Sequence, residues 1–135
     1  MGNVRNTPVE LLESKFPIRI VEYAIQPGTG GTGRYRGSNA FVRTYEVLCD
    51  QVDVFLRTGR RTYLPWGLEG GLPGAPSSAT HIKIDGERVA LPTMLRLEMR
   101  RGERLVWQAA AGGGFGDPST RSQELVQQDQ LEGLW

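Results

Sequence analysis

Several residue types that build common functional sites are scarce in this chain of 135 residues. It has one cysteine, Cys49, and one histidine, His81. A disulfide within the chain is therefore excluded, and so is a structural zinc site of the tetrahedral Cys/His kind, which needs more of these ligands than the chain has. Cys49 and His81 are also the one pair from which a thiol nucleophile and its imidazole base could be built.

Net charge and long apolar runs are also lacking. The chain has 16 Lys and Arg against 15 Asp and Glu, a formal charge of +1, so no bulk field attracts nucleic acid or an anionic membrane, and we expect neither as a partner. No apolar run approaches the roughly 18 residues of a membrane helix, and the first residues have no apolar segment of the secretory-signal kind. These features predict a cytoplasmic protein.

Glycine and arginine, by contrast, are abundant. Glycine contributes 18 of the 135 residues, nearly twice the usual share of about 7%. The only lysines are Lys15 and Lys83, so 14 of the 16 basic residues are arginine. Arginine is the cation preferred at interfaces and for binding carboxylate or phosphate. Both biases fit a protein that packs against partners, although a GC-rich genome would produce them too.

The chain is long enough for one domain with one core, and its pattern predicts a mainly β fold. We expect a short first helix with a capping box, in which Thr7 is the N-cap, Pro8 is N1 and Glu10 is N3, and which ends before Pro17. About seven strands follow, at 18–25, 40–48, 52–56, 81–84, 89–91, 94–99 and 105–109.

Two hairpins are predicted within this series of strands. One joins 40–48 to 52–56, and the other turns at Asp85-Gly86. Residues 119–131 predict a C-terminal helix, so we expect a β-rich domain at 1–118 and a helical tail at 119–135. The strands suit a barrel-like module or a sandwich, and the pattern leaves both open. The long loop at 63–79 is expected to be functional or packed against a partner.

The glycine-rich loop at 30–37, with Arg34 and Arg36, resembles an anion-binding loop, because successive glycine amides can surround an anion. The phosphate-loop pattern, however, needs a Gly-Lys-Ser/Thr ending that leads into a helix. This loop lacks that lysine and leads into a strand. A structural turn is the favoured interpretation, and an anion contact shared with a partner remains open.

A second arginine cluster, Arg57, Arg60 and Arg61, lies at the end of a predicted strand. It could clamp phosphate or carboxylate, or it could form a solvated turn or interface ion pairs, which we favour. Trp66 is expected to be an apolar anchor in the core or at an interface. For 112–117, close backbone packing is favoured over an anion nest.

His81 and Cys49 are weak catalytic candidates. His81 begins an alternating strand, where a lone histidine is usually structural, and Cys49 lies in a predicted turn without a basic neighbour that would lower its pKa. No spacing indicates a catalytic triad or a carboxylate pair. We therefore predict no catalytic residue and no metal ligand in this chain.

Five motifs, taken in order, resemble the C-terminal portion of the hydantoinase B/5-oxoprolinase family. They lie at 6–10, 30–37, 60–71, 73–75 and 112–118. The family's B-type chains are several hundred residues long and work with a hydantoinase A-type partner that binds ATP. The resemblance therefore implies ATP-dependent hydrolysis of cyclic amides, or carboxylation of ketones that also consumes bicarbonate.

As a separate chain of this length, the sequence resembles the small subunit of the acetophenone carboxylase type of ATP-dependent ketone carboxylase. That is the function we expect, in place of a fragment of a longer chain. The small subunit would complete a larger hydantoinase B-type chain next to A-type ATPase subunits. The alternatives are a part of a hydantoinase or 5-oxoprolinase complex and a purely structural module.

The resemblance also implies how the work is divided within such a complex. This chain alone would bind no cofactor, and the complex would supply ATP, bicarbonate and a divalent metal. The candidate anion contacts are Arg34, Arg36, Arg57, Arg60 and Arg61. The candidate interface or structural residues are Trp66, Gly30, Gly31, Gly33, Gly70, Gly71, Gly112, Gly113, Gly114 and Asp117.

Overall fold

A computed structural model describes residues 6–135 of the chain and contains seven strands, two α-helices and one 3-10 turn. The strands are β1 (Ile18–Gln26), β2 (Ala40–Val47), β3 (Gln51–Arg57), β4 (Ser78–Ile82), β5 (Arg88–Ala90), β6 (Met94–Arg100) and β7 (Arg104–Gln108). The helices are α1 (Val9–Lys15) and α2 (Gln123–Leu131), with the 3-10 turn at Pro118–Thr120. The mainly β prediction with a helix at each end is confirmed.

The strands form two antiparallel sheets. The larger has the order β1-β2-β7-β4-β5, and the smaller is the pair β3-β6. Within residues 6–135 the large sheet stays open, with β1 and β5 at its edges. The chain therefore does not close into a barrel, and the two sheets pack as layers around a shared core.

The predicted hairpin between 40–48 and 52–56 is wrong. β2 pairs with β1 and β7, whereas β3 crosses to the second layer and pairs with β6 along its whole length. Burial explains the crossing, because Val52, Val54 and Leu56 of β3 pack onto the core of the large sheet. The predicted hairpin at Asp85-Gly86 is confirmed: β4 pairs with β5, and Gly86 has a φ of 87°.

The first helix forms where the sequence predicts it, but the capping box is wrong. Pro8 occupies the N-cap position with extended backbone angles, and no side chain caps the helix. The helix therefore begins one residue later than a Thr7 cap requires, and Glu10 falls short of the N3 position. The C-terminal helix begins later than the predicted residue 119, because the Ser122 hydroxyl accepts a hydrogen bond from the Leu125 amide and caps α2 there.

The core lies between the layers and is closed on one side only. Its buried residues come from β2, β3, β4, β6, β7 and the segment after β5: Val47, Leu56, Ala79, Leu91, Met99 and Leu105. No residue of β1 belongs to this cluster, and Tyr23 and Ile25 of β1 stay exposed. An apolar cleft of about 270 Å³ opens between Ile18 of β1 and Val54 of β3. The β3-β6 pair thus covers the β7 and β4 part of the sheet and leaves the β1 side open.

No helix in residues 6–135 is long and apolar enough to cross a membrane.

Candidate functional site

Three loops that the sequence marks by glycine pack against one another beside the large sheet. We call segments 29–39, 65–75 and 111–116 the glycine block. Backbone hydrogen bonds join all three segments: the Gly31 amide donates to the Gly112 carbonyl at 2.9 Å, Leu72 to Thr32 at 2.7 Å, and Gly114 to Leu72 at 2.9 Å. The block is therefore one hydrogen-bonded unit built from three distant parts of the chain.

Side chains are excluded from the contacts inside the block. A Cβ atom on Gly31 would overlap the Leu72 carbonyl oxygen, and one on Gly114 would overlap that of Thr32. The same holds, with other backbone partners, for Gly30, Gly33, Gly37, Gly67, Gly71, Gly74, Gly112 and Gly113. Gly70 differs, because a Cβ there would make only ordinary contacts, the nearest 3.7 Å from the Asp117 amide nitrogen, but its φ is 88°. The abundance of glycine in these motifs follows from backbone-to-backbone packing.

Many amides of the block are engaged by carbonyl oxygens of this chain. In the first loop, Gly30 donates to Asn39 Oδ1 at 3.0 Å and Gly37 donates to the Gly31 carbonyl. In the third, Gly112 donates to Ser38, and Gly116 donates to Leu68. These residues do not fit a nucleotide site of the phosphate-loop kind, in which free amides point at the phosphates.

The surface of the block carries exposed apolar side chains. Isolated β-bridges pair Phe115 with Tyr35 on one side and with Leu68 on the other. The Tyr35 and Phe115 ring centroids are 6.4 Å apart, and all three side chains are about half exposed. Trp66 lies on the surface too, 62% exposed, with the Arg60 guanidinium 4.7 Å from the centre of its ring.

The five candidate arginines divide into two kinds. Arg34, Arg57 and Arg60 are exposed; Arg34 lies over the Tyr35 ring and Arg60 has a φ of 59°. Arg61 instead donates to the Leu91 carbonyl, and Arg36 is tied into an ion-pair network. The exposed three have guanidinium groups available for a ligand or partner, whereas Arg36 and Arg61 hold parts of this chain together.

The ion-pair network joins the glycine block to the C-terminal helix. Asp129 of α2 accepts from Arg36 Nε at 2.8 Å and from Arg121 Nη2. The three side chains are 10–19% exposed. Burial by itself would raise the pKa of Asp129, but hydrogen bonds and charge from Arg36 and Arg121 outweigh it and lower that pKa. We call these three residues the Asp129 triad.

Two pockets adjoin the triad, and all three of its side chains line both. One pocket, of about 560 Å³, is bounded further by Ile25 and Asn39. The other, of about 260 Å³, is bounded by Gly33 and Trp135. With two guanidinium groups and one carboxylate the triad has a net positive charge, which Glu132 offsets in the larger pocket and which no other acidic side chain offsets in the smaller one. The smaller pocket therefore suits an anion better than a cation. Sequence analysis missed Asp129, because nothing local marks a residue that pairs with Arg36 across 93 positions, and it missed Arg121, which binds the same carboxylate.

The remaining polar candidates have structural partners. His81 Nε2 lies 3.0 Å from Glu103 Oε2, and Cys49 Sγ is 3.2 Å from the Gln51 carbonyl, so histidine and thiol are engaged separately. Asp117 caps the 3-10 turn by accepting from the Ser119 amide at 2.8 Å, and bonding to Ser119 lowers its pKa. Within residues 6–135 no group of three or more His, Cys, Asp or Glu side chains is placed to hold a metal ion.

Curated relatives are all longer than this chain. An uncharacterised protein of Methanocaldococcus jannaschii is 34% identical over 92% of this chain, and a putative B subunit of a D-/L-hydantoinase from a Pseudomonas strain is 31% identical over 98% of it. The chain spans only 22% and 23% of these two proteins.

Solved structures share the fold. An ATP-dependent caprolactamase from Pseudomonas jessenii superposes with a TM-score of 0.80 over 94% of this chain and 23% of its own, at 26% identity. An acetone carboxylase, in a nucleotide-free structure, gives a TM-score of 0.76 over 94% of this chain and 21% of its own; at 20% identity it shows a common fold. The family model described as Hydantoinase B/oxoprolinase matches residues 1–118. With a match over most of its length, the chain belongs to the hydantoinase B/oxoprolinase family.

Proposed function

We propose that this chain is one part of an ATP-dependent enzyme, in which it completes a larger hydantoinase B-type unit beside a hydantoinase A-type ATPase. The open side of the large sheet is the observation that carries this proposal. β1 contributes nothing to the buried core, and Tyr23 and Ile25 remain 45% and 60% exposed on it. A sheet normally buries one face against another layer, and the relatives have about four times as much chain to supply that layer.

Ring opening of a cyclic amide is the reaction that the relatives favour. The similar proteins whose names state an activity include a putative hydantoinase subunit, several 5-oxoprolinases and a caprolactamase. Each name denotes action on a cyclic amide. ATP-dependent ketone carboxylation, the reaction expected from the resemblance to a small carboxylase subunit, is the second candidate, supported by the shared fold of acetone carboxylase.

In either reaction this chain would contribute surface and charge. The exposed guanidinium groups of Arg34, Arg57 and Arg60 suit contacts to a carboxylate or phosphorylated intermediate, or to bicarbonate if the reaction is a carboxylation. In this proposal ATP and a divalent metal are held by the other chains of the complex.

The test is reconstitution with the larger B-type chain and the A-type chain. ATP hydrolysis is measured with a cyclic amide such as 5-oxoproline, hydantoin or caprolactam, and separately with a ketone in the presence and absence of bicarbonate. Turnover with a cyclic amide and no bicarbonate supports ring opening. Bicarbonate-dependent turnover with a ketone supports carboxylation, and equal activity without this chain refutes both.

Variants of the arginines test whether they contact the reacting groups. Arg34→Ala, Arg57→Ala and Arg60→Ala are expected to lower turnover while the complex still assembles, because these side chains are exposed. Arg61→Ala is the contrasting variant and should lower stability instead, since it loses a hydrogen bond to the Leu91 carbonyl. If all three exposed variants keep full turnover, the proposed anion contacts are wrong.

A further inference from the structure

Arg43, in the middle of β2, is buried without a counterion. It is 7% exposed, and its Nε has no hydrogen-bond partner in residues 6–135. Its one side-chain hydrogen bond there runs from Nη1 to the Tyr45 hydroxyl at 3.3 Å. The nearby carboxylate Glu46 is held by Arg19 and Arg104, and as the third residue after Arg43 on the same strand it lies on the opposite face.

Aromatic rings of the same sheet provide the cover over Arg43. The guanidinium carbon lies 4.1 Å from the Tyr23 ring centre and 6.0 Å from those of Phe41 and Tyr45. Tyr23 itself is 45% exposed. The Tyr23 ring thus separates the Arg43 guanidinium from the open side of the sheet, and a second layer packed there would contact this ring.

The strand beside this site also has open backbone groups. The Phe41 carbonyl accepts a hydrogen bond from the Ala109 amide, so the backbone groups of Phe41 face β7. Because backbone groups alternate along a strand, those of Arg43 also face β7, and those of the residue between them face β1. The β1 residues paired with Phe41 and Arg43, which are Ile25 and Tyr23, therefore direct their backbone groups towards the free edge. Within residues 6–135, the side of the sheet next to Arg43 is open at its edge, and at its face the Asn6 side-chain amide donates to the Tyr23 hydroxyl.

We propose that a segment of the larger B-type unit covers the β1 and β2 face, displaces the Tyr23 ring from the Arg43 guanidinium and pairs a carboxylate with it. This inference rests on the proposed function. A buried cation with an unused donor calls for a hydrogen-bonded anion, and an anion within a partner layer would supply it. Relatives about four times longer than this chain have the residues to form such a layer, and the exposed apolar side chains of β1 suit its apolar part.

The test measures the affinity of this chain for the larger B-type chain. Arg43→Met keeps the length and apolar volume of the side chain and removes its charge, so binding should weaken roughly 30-fold or more, as when one member of a buried pair is lost. Arg43→Lys keeps the charge and should retain much of the affinity. The matched control is Arg96→Met, which removes an exposed arginine paired with Asp53 in the other sheet, and its binding should be unchanged.

Thermal unfolding of each variant separates binding from folding. Arg43→Met should unfold at or above the wild-type temperature, because it removes a buried, unpaired donor. Wild-type affinity in Arg43→Met, or equal loss in both Arg43 variants, would overturn the proposal. Dimerisation of the wild-type chain that Arg43→Met abolishes would also overturn the proposal, because it would show that a second copy of this chain occupies the site. If the wild-type chain forms no complex with the larger B-type chain, both this proposal and the proposed function fail. If the complex forms and Arg43→Met does not weaken it, only this proposal fails.

Discussion

Replacing Asp129 with asparagine should detach the C-terminal helix from the glycine block. The carboxylate accepts from Arg36 at 2.8 Å and from Arg121, and the residue is 7% exposed. Asparagine keeps the shape but leaves two mostly buried guanidinium groups without their shared anion. Losing one member of a buried ion pair costs about 3 kcal/mol or more, and we take the lower figure because the arginines keep some solvent contact.

Chemical denaturation followed by circular dichroism measures this loss. A change of about 3 kcal/mol corresponds to roughly 10 °C in the unfolding temperature of a domain of this size. Glu124→Gln is the control, since Glu124 is an exposed carboxylate of the same helix, and it should cost less than about 1 kcal/mol. Equal stability of Asp129→Asn and Glu124→Gln would refute the reasoning.

The effect should also depend on pH in one direction. Because the pKa of Asp129 is lowered in the folded chain, its stabilisation is fully present above the unfolded pKa of about 4 and is lost as the pH falls through the folded value. The wild-type chain and Asp129→Asn should therefore differ most near neutral pH and converge in acid. A difference that stays constant down to a pH of about 2 would show that charge on Asp129 is not its cause.

Three further results are expected. Gly114→Ala should destabilise the fold by about 3 kcal/mol or more through overlap with the Thr32 carbonyl, whereas Gly59→Ala, which meets nothing within 4 Å, should be neutral or slightly stabilising in the same denaturation assay. Ser122→Ala should cost about 1 kcal/mol by loss of the α2 cap. Hydrogen exchange should show that the larger B-type chain slows the amides of β1 and leaves those of the glycine block unchanged; slowing confined to the block would contradict the open-sheet interpretation.

Features set by neighbouring residues can be predicted from the sequence. Most strand positions follow from alternation, which is local, although β4 begins at Ser78, three residues before the predicted strand at 81–84. The turn at Gly86 follows from its need for a positive φ. Strand pairing does not follow, since the alternation of β3 specifies which residues face the core and leaves its partner strand undetermined. The failed capping box has a local cause: Pro8 takes the cap position itself.

In the candidate site, too, local features can be predicted from the sequence and long-range contacts cannot. Its glycines stand out in the sequence, but the reason for them is contact between loops 29–39, 65–75 and 111–116, which only the fold brings together. The sequence marks Arg36 as an anion contact, and its bond to Asp129 emerges only once α2 is placed beside the first loop. Arg43 carries no sequence signal, because an arginine in an alternating strand usually faces solvent.

The two halves of the molecule differ in how many of their polar groups have hydrogen-bond partners within this chain. In the glycine block, amides from all three loops meet carbonyls of the other loops, and the Asp129 triad ties the last helix to it, so its loops are held together by bonds within this chain. The β1 side of the sheet has exposed apolar side chains, a free edge and the buried cation of Arg43. Because the first loop of the block leads directly into β2, a partner bound on the open side would also fix the position of Arg34, which lies in that loop. We predict no catalytic residue in this chain, and in this way it would still shape a shared active site.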